Sequence, residues 1–289
     1  MGMELGMTEL PLALFSTLVP MGAGAFLMLA AAFFVKHFDA EALKKVDRMT
    51  VIPIVFVVVG FICAFFHLAN PMNAFNVFAN VGSSPMSNEI VMGLVFCVVA
   101  IVYWIVALAG KLASEGARKG FSAVVAVVGL LFCVFVGLAY GMDTIPSWNN
   151  AMVPLSTLFF GVLGGSAVGM AVFYQAGVYD AADKQLAKVA LVVSWVGVIG
   201  SVAFFALNMG TASGLANNMM YGSDVVGAMM PWIVTAVIVM VLAGVALMFE
   251  IQKKRATFYT WIVVVVTFVG ILLARLSFYG VEFSAGLGI

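Results

Sequence analysis

Eight apolar stretches, each long enough to cross a lipid bilayer, take up most of this chain. They run over 10–35, 50–68, 88–110, 120–140, 152–175, 188–208, 227–250 and 257–279. A helix of about 20 apolar residues spans the hydrocarbon layer. The runs are too long for strands and lack the alternation of a membrane barrel. Hydrophobic residues make up 64% of the 289 and charged residues only 9%, against roughly 25% charged in a soluble domain. Such a chain has too little polar surface to face water. The expected fold class is therefore an all-α integral membrane protein, an eight-transmembrane-helix bundle forming one domain over 1–289. Residues 1–9 hold two acids and no base, which does not suit the flank of a cleaved signal peptide.

The charges give the bundle a direction. Lys36, Lys44, Lys45 and Arg48 fall between spans one and two, and Lys111, Arg118 and Lys119 between three and four. Lys184 and Lys188 fall between five and six, and Lys253, Lys254 and Arg255 between seven and eight. Of the 13 Lys and Arg only Arg275 is left over. An eight-span topology puts those alternate loops on one side. With the acids included, that side carries +5 and the other −5. The positive-inside rule makes the basic side cytoplasmic and both termini outer, or periplasmic. The expected location is a bacterial cytoplasmic membrane. A net charge of zero with no basic domain excludes nucleic-acid binding as a main role.

A weak internal repeat is present. Leu10-Pro11-Leu12 opens span one and Val153-Pro154-Leu155 opens span five. Gly22-Ala23-Gly24-Ala25 follows the first and Gly164-Gly165-Ser166-Ala167 the second. Two four-helix halves, 1–145 and 146–289, would account for this. So would the general use of proline at helix starts and of small residues at packed interfaces.

Most cofactor chemistry lacks its residues. Cys63, Cys97 and Cys133 each lie in an apolar run and form no CxxC pair, so no zinc or iron–sulfur cage is expected. The two histidines, His37 in a charged loop and His67 at a helix end, are not placed to hold a haem between them. The 19 methionines form no cluster with His or Cys that suits copper, and no P-loop, GxSxG or HExxH occurs. Neither haem nor metal is expected in this chain.

Ionisable groups at membrane depth are costly and point to function. His67 ends span two. Glu89 falls in the first turn of span three, behind a Ser87-Asn88 cap. Arg275 lies about 6 Å inside the outer end of span eight. All three sit at one depth, on the outer side. Each also has a structural explanation: Glu89 can complement the helix dipole, Arg275 can snorkel, and His67 can donate to a loop carbonyl. Together they suit a lipid-soluble molecule with a two-ended polar head. A quinol fits, because its oxidation releases two protons that a carboxylate and an imidazole can accept. Asn76 and Tyr279 are candidate pocket-lining residues, and Trp148, Trp232 and Tyr279 read as interfacial anchors.

Several motifs carry a family resemblance. They are Glu9-Leu10-Pro11-Leu12, the stretch His67-Leu68-Ala69-Asn70-Pro71-Met72-Asn73-Ala74-Phe75-Asn76, and Val81-Gly82-Ser83-Ser84 through Ser87-Asn88-Glu89-Ile90. Asp143-Thr144-Ile145-Pro146-Ser147-Trp148 and Arg275 with Phe278-Tyr279-Gly280 complete the set. The whole chain resembles the membrane-anchor subunit of anaerobic dimethyl sulfoxide reductase, and the 67–90 block is the specific part.

The resemblance implies an eight-helix anchor that oxidises menaquinol, with His67 and Glu89 at the quinol site and Arg275, Asn76 and Tyr279 in support. It implies an iron–sulfur subunit as partner, which passes electrons to a molybdopterin catalytic subunit. Such a protein takes part in the oxidoreductase reaction without performing the terminal reduction. Asn73 and Asn80 depart from the family by replacing frequent basic residues, which bears on docking and leaves His67 and Glu89 untouched. With no haem to relay electrons across about 30 Å, the quinol site and the partner's nearest cluster belong on one side. The iron–sulfur subunit is thus expected on outer loops 69–87 and 141–151, at Asn70, Pro71, Phe75, Asp143 and Trp148.

Three other readings stay open beside this one, among them a purely structural tether with no quinol chemistry, for which His67 and Glu89 would be dispensable. A polysulfide-reductase-type anchor differs in its terminal substrate. A secondary transporter would use the repeat, but should hold its charged groups near the bilayer midplane.

Overall fold

The computed structural model describes residues 2–67, 77–112, 114–253 and 256–285, with His67 described by its backbone alone. The chain forms α1 (Gly2–Thr8), α2 (Leu10–Val35), α3 (Ala40–Met49), α4 (Val51–His67), α5 (Pro85–Leu108), α6 (Glu115–Leu138), α7 (Met152–Gln175), α8 (Lys184–Ser213), α9 (Gly222–Gln252) and α10 (Thr257–Gly280). Eight segments are long and apolar enough to cross a membrane, the second running from α3 into α4 over Ala40–Phe66, and each overlaps one of the eight sequence runs. Among the described residues the extended structure amounts to one isolated bridge, Ala216 to Tyr221. The protein is an all-α integral membrane bundle.

Helices α2 and α7 form its centre. Both are buried on nearly every side, as expected of helices apolar all round. Between lipid-embedded helices burial adds little driving force, so close backbone approach and van der Waals packing hold the pair together. A Cβ on Gly24 would overlap the carbonyl of Gly161, and one on Gly165 would overlap the backbone of Gly24. The two small-residue runs noticed as a repeat are thus the segments that pack on each other. The outer helices present Ile62, Ile105, Ile199 and Val265 outward, an apolar surface suited to lipid.

Several boundaries differ from the sequence reading; α6 begins at Glu115 and α8 at Lys184, ahead of the expected 120 and 188. Helix α5 begins at Pro85 with Ser84 as its N-cap, whose Oγ accepts from the Ser87 N–H. Pro85 suits the first helical position because its missing N–H would be unpaired there anyway. Asn88, read as part of the cap, instead accepts from the Gly82 N–H at 2.7 Å through Oδ1. Glu89 is therefore in the second turn, deeper than expected and less engaged with the helix dipole. Helices α8 and α9 each extend into the expected gap 209–226. Asn208, which ended the hydropathy run, is buried and accepts from the Asn150 side chain at 2.8 Å, while Thr211 donates to the Leu207 carbonyl.

Two short helices were not foreseen. Helix α3, capped by Asp39 accepting from the Ala42 N–H at 2.7 Å, occupies the region read as a charged loop. Helix α1 lies against the C-terminal end of α10, where a Cβ on Gly6 would overlap the Leu276 carbonyl. The basic residues gather at the other end, where Lys36 pairs with Asp183, Lys45 with Glu41, Lys119 with Glu115 and Arg118 with Asp47.

Candidate functional site

At the acidic end, the last helix carries Arg275 into the bundle with only 1% of its surface exposed. Its Nε donates to Ser16 Oγ on α2 at 2.7 Å, and one terminal nitrogen donates to the Tyr279 hydroxyl at 3.1 Å. That hydroxyl also lies 3.3 Å from Ser16 Oγ and within hydrogen-bond reach of the Tyr140 hydroxyl. The guanidinium sits over three rings, with its carbon 4.5 Å from the Phe278 centroid, 5.0 Å from Tyr140 and 5.1 Å from Tyr279. Hydroxyl acceptors and aromatic faces replace the water that the buried cation gave up.

The loop after α6 shapes one wall. Trp148 stacks on Phe278 at 5.4 Å, and its Nε1 donates to the Phe278 carbonyl at 3.2 Å. Read from sequence as an interfacial and docking residue, Trp148 is buried against α10. Asp143, by contrast, is exposed and accepts from the Asn149 side chain at 2.8 Å. The C-terminal segment closes over this loop. Phe283 N–H donates to Ser147 Oγ and Ala285 N–H to the Thr144 carbonyl, both at 3.0 Å.

Glu89 enters the same region from α5. It is 8% exposed, and its Oε1 is buried with no hydrogen-bond partner among the described residues. Its carboxyl group interacts electrostatically with Arg275 and Tyr140. Of the residues singled out in the sequence, the structure joins Arg275 and Tyr279 directly and sets Glu89 within electrostatic range of Arg275. The His67 side chain, Asn70, Pro71, Phe75 and Asn76 lie outside the described residues. Ser16 and Tyr140 were missed. Ser16 had a signal, being half of a Ser-Thr pair inside an otherwise apolar run, and Tyr140 stands three residues before the Asp143 motif.

Chemically, the arrangement sets one carboxyl group, with an oxygen unpartnered among the described residues, within electrostatic range of a bank of hydroxyl and guanidinium donors, in low-dielectric surroundings that strengthen hydrogen bonds. Among the described residues no three His, Cys, Asp or Glu come together as a metal-ligand group. The profile of the DMSO reductase anchor subunit family matches residues 3–281. The chain belongs to that family. The anchor is 30% identical to the C subunit of anaerobic dimethyl sulfoxide reductase from Escherichia coli (strain K12), over 98% of each protein. It is 32% identical to the corresponding C subunit from Haemophilus influenzae, over 58% of this anchor and 60% of that protein. The anaerobic dimethyl sulfoxide reductase subunit YnfH of Escherichia coli is 29% identical over 67% of the anchor and 68% of its own length. The anchor is a multi-pass membrane protein.

Proposed function

We propose that this anchor binds menaquinol between Glu89, His67 and the Arg275–Tyr279 pair and oxidises it on behalf of a dimethyl-sulfoxide-reductase-type complex. The observation that carries the reading is the buried Glu89 Oε1, which has no hydrogen-bond partner among the described residues and lies within electrostatic range of Arg275. A quinol has one hydroxyl to donate to that oxygen and a second oxygen to accept from the donor bank. When it reacts, both O–H bonds break. Two electrons leave, one at a time, for an iron–sulfur cluster of the partner, and the two protons pass to Glu89 and His67, leaving the quinone. Arg275 offsets the negative charge that builds on the quinol oxygen as its proton departs. His67 enters through its place in the motif that resembles the family's.

The iron–sulfur subunit then docks at the acidic end, over loop 141–151 with its exposed Asp143, and passes electrons to a molybdopterin subunit. The basic end faces the cytoplasm of a bacterial inner membrane by the positive-inside rule. A structural tether that leaves quinol chemistry to another subunit is the competing reading. The test is turnover of the purified complex with quinol as donor, for wild type, Glu89→Gln and His67→Ala. An artificial donor feeding the catalytic subunit directly is the control. The proposed site requires loss of quinol-driven turnover with donor-driven turnover and assembly intact. Variants that keep quinol turnover would make both residues structural.

A further inference from the structure

The basic end holds a cavity of about 510 Å³ where α3 meets the end of α2, the end of α5 and the start of α6. This is within the range of small-molecule sites, and it stands apart from the Arg275 region. Its cationic lining comes from Lys36, Lys44, Arg48, Arg118 and Lys119, and its acidic lining from Asp39, Asp47 and Glu115.

Every one of those acids is already engaged. Asp39 caps α3. Asp47 takes two bonds from Arg118 at 2.5 and 3.0 Å. Glu115 is shared by Lys119 at 2.6 Å and His37 at 3.4 Å. Lys36 is held by Asp183 at 3.5 Å. Lys44 and Arg48 remain, one turn apart on α3, both lining the cavity with no carboxylate partner among the described residues. At the cavity wall Arg118 is 5% exposed, and its Nε has no acceptor among the described residues. A buried guanidinium donor without an acceptor is costly, and an anion in the cavity could supply one. The other walls are apolar, formed by Phe33, Leu43, Leu108 and Leu112. Leu108 of that wall and the neighbouring Phe34 turn large apolar surface outward at the ends of spanning helices.

We propose that this cavity binds the phosphodiester headgroup of an acidic phospholipid. Lys44 and Arg48 hold the phosphate, the Arg118 Nε–H donates to one of its oxygens, and the acyl tails run past Phe34 and Leu108. Basic pockets between membrane helices recognise anionic headgroups in this way. A soluble phosphate ester shares the headgroup chemistry but has no use for the apolar flank.

The full complex, delipidated in detergent, is titrated with dioleoylphosphatidylglycerol, with dioleoylphosphatidylcholine, and with glycerol 3-phosphate. Bound ligand is counted by native mass spectrometry. Phosphatidylglycerol is expected to bind saturably at about one per anchor and to resist exchange by phosphatidylcholine. The double variant Lys44→Gln/Arg48→Gln should weaken it about 30-fold. Both side chains are exposed, so the variant should fold; Lys44→Gln alone, expected to weaken binding about fivefold, serves if it does not. Lys45→Gln removes a charge from the same helix, but one paired with Glu41 and not lining the cavity. It should leave affinity within about twofold of wild type. Equal binding of phosphatidylcholine, or an unchanged affinity in the double variant, would overturn the site. Glycerol 3-phosphate saturating as tightly as the lipid would overturn the lipid as its occupant.

Discussion

Arg275 and Ser16 lie 259 positions apart in sequence, and the Arg275 Nε–H donates to Ser16 Oγ at 2.7 Å. The bond ties the last membrane helix to the first. Ser16 also donates within its own helix, to the Leu12 carbonyl at 2.7 Å, so its hydroxyl proton is committed and its lone pair faces the guanidinium. This fixes the rotamer of Arg275 and, through Tyr279, the position of Tyr140.

Ser16→Ala should therefore leave the buried Nε donor unpaired. The expected cost is about 1–3 kcal/mol of stability, read as a lower melting temperature of the purified complex. Quinol-driven turnover should fall with it while artificial-donor turnover holds. A melting temperature equal to wild type would mean that Arg275 has another acceptor.

The tyrosine pair should respond unequally. The Tyr279 hydroxyl links Arg275, Ser16 and Tyr140, whereas the Tyr140 hydroxyl bonds Tyr279 and its ring lies under the Arg275 guanidinium. Tyr279→Phe should lower quinol-driven turnover more than Tyr140→Phe, with both variants keeping their ring contacts to the guanidinium. Steady-state kinetics on the two complexes, side by side, would settle the order. The reverse order would place Tyr140 in direct contact with substrate.

The eight spans were legible because hydropathy alone specifies a membrane helix, and Glu89 and Arg275 stood out as charges in apolar surroundings. Helix ends were less legible where a polar side chain inside a span finds its partner in tertiary structure. Asn208 reads as a stop until Asn150 is seen to bond it, and Ser84-Pro85 starts α5 one turn earlier than the Ser87-Asn88 pair suggests. The roles of Ser16 and Tyr140 were not legible for the same reason, since they exist only once α2, the loop after α6 and α10 meet. Gly2 and Gly6 carried a signal for α1, being small residues four apart, but the surface they pack on is invisible to sequence.

Close packing of α2 on α7 sets up a controlled pair of substitutions. Gly165→Ala places a methyl where the Gly24 backbone already lies, and backbone on both sides leaves nothing flexible to yield. Overpacking of this kind costs about 1–3 kcal/mol or more. Gly210→Ala, inside α8, meets nothing within 4 Å and should be neutral or stabilising by up to about 1 kcal/mol. Thermal unfolding in detergent should separate the two, and similar melting temperatures would mean that the central pair is looser than its geometry.

The buried pair at the basic end should behave as a unit. Arg118 and Asp47 expose only 6% and 5% of their side chains and meet through two bonds. Asp47→Asn leaves the guanidinium buried without its charge partner, an expected loss of about 3–5 kcal/mol. Removing both charges, as Asp47→Leu/Arg118→Met, also removes the uncompensated cation and should recover most of that loss, because the desolvation of two ions roughly offsets their attraction. Trp104 donates to the Asp47 carbonyl rather than to its carboxylate, so that bond survives both changes and the backbone stays anchored. The check is a double-mutant cycle on melting temperature and yield. A double variant as unstable as the sum of its singles would mean that the two residues act separately, each holding a partner of its own.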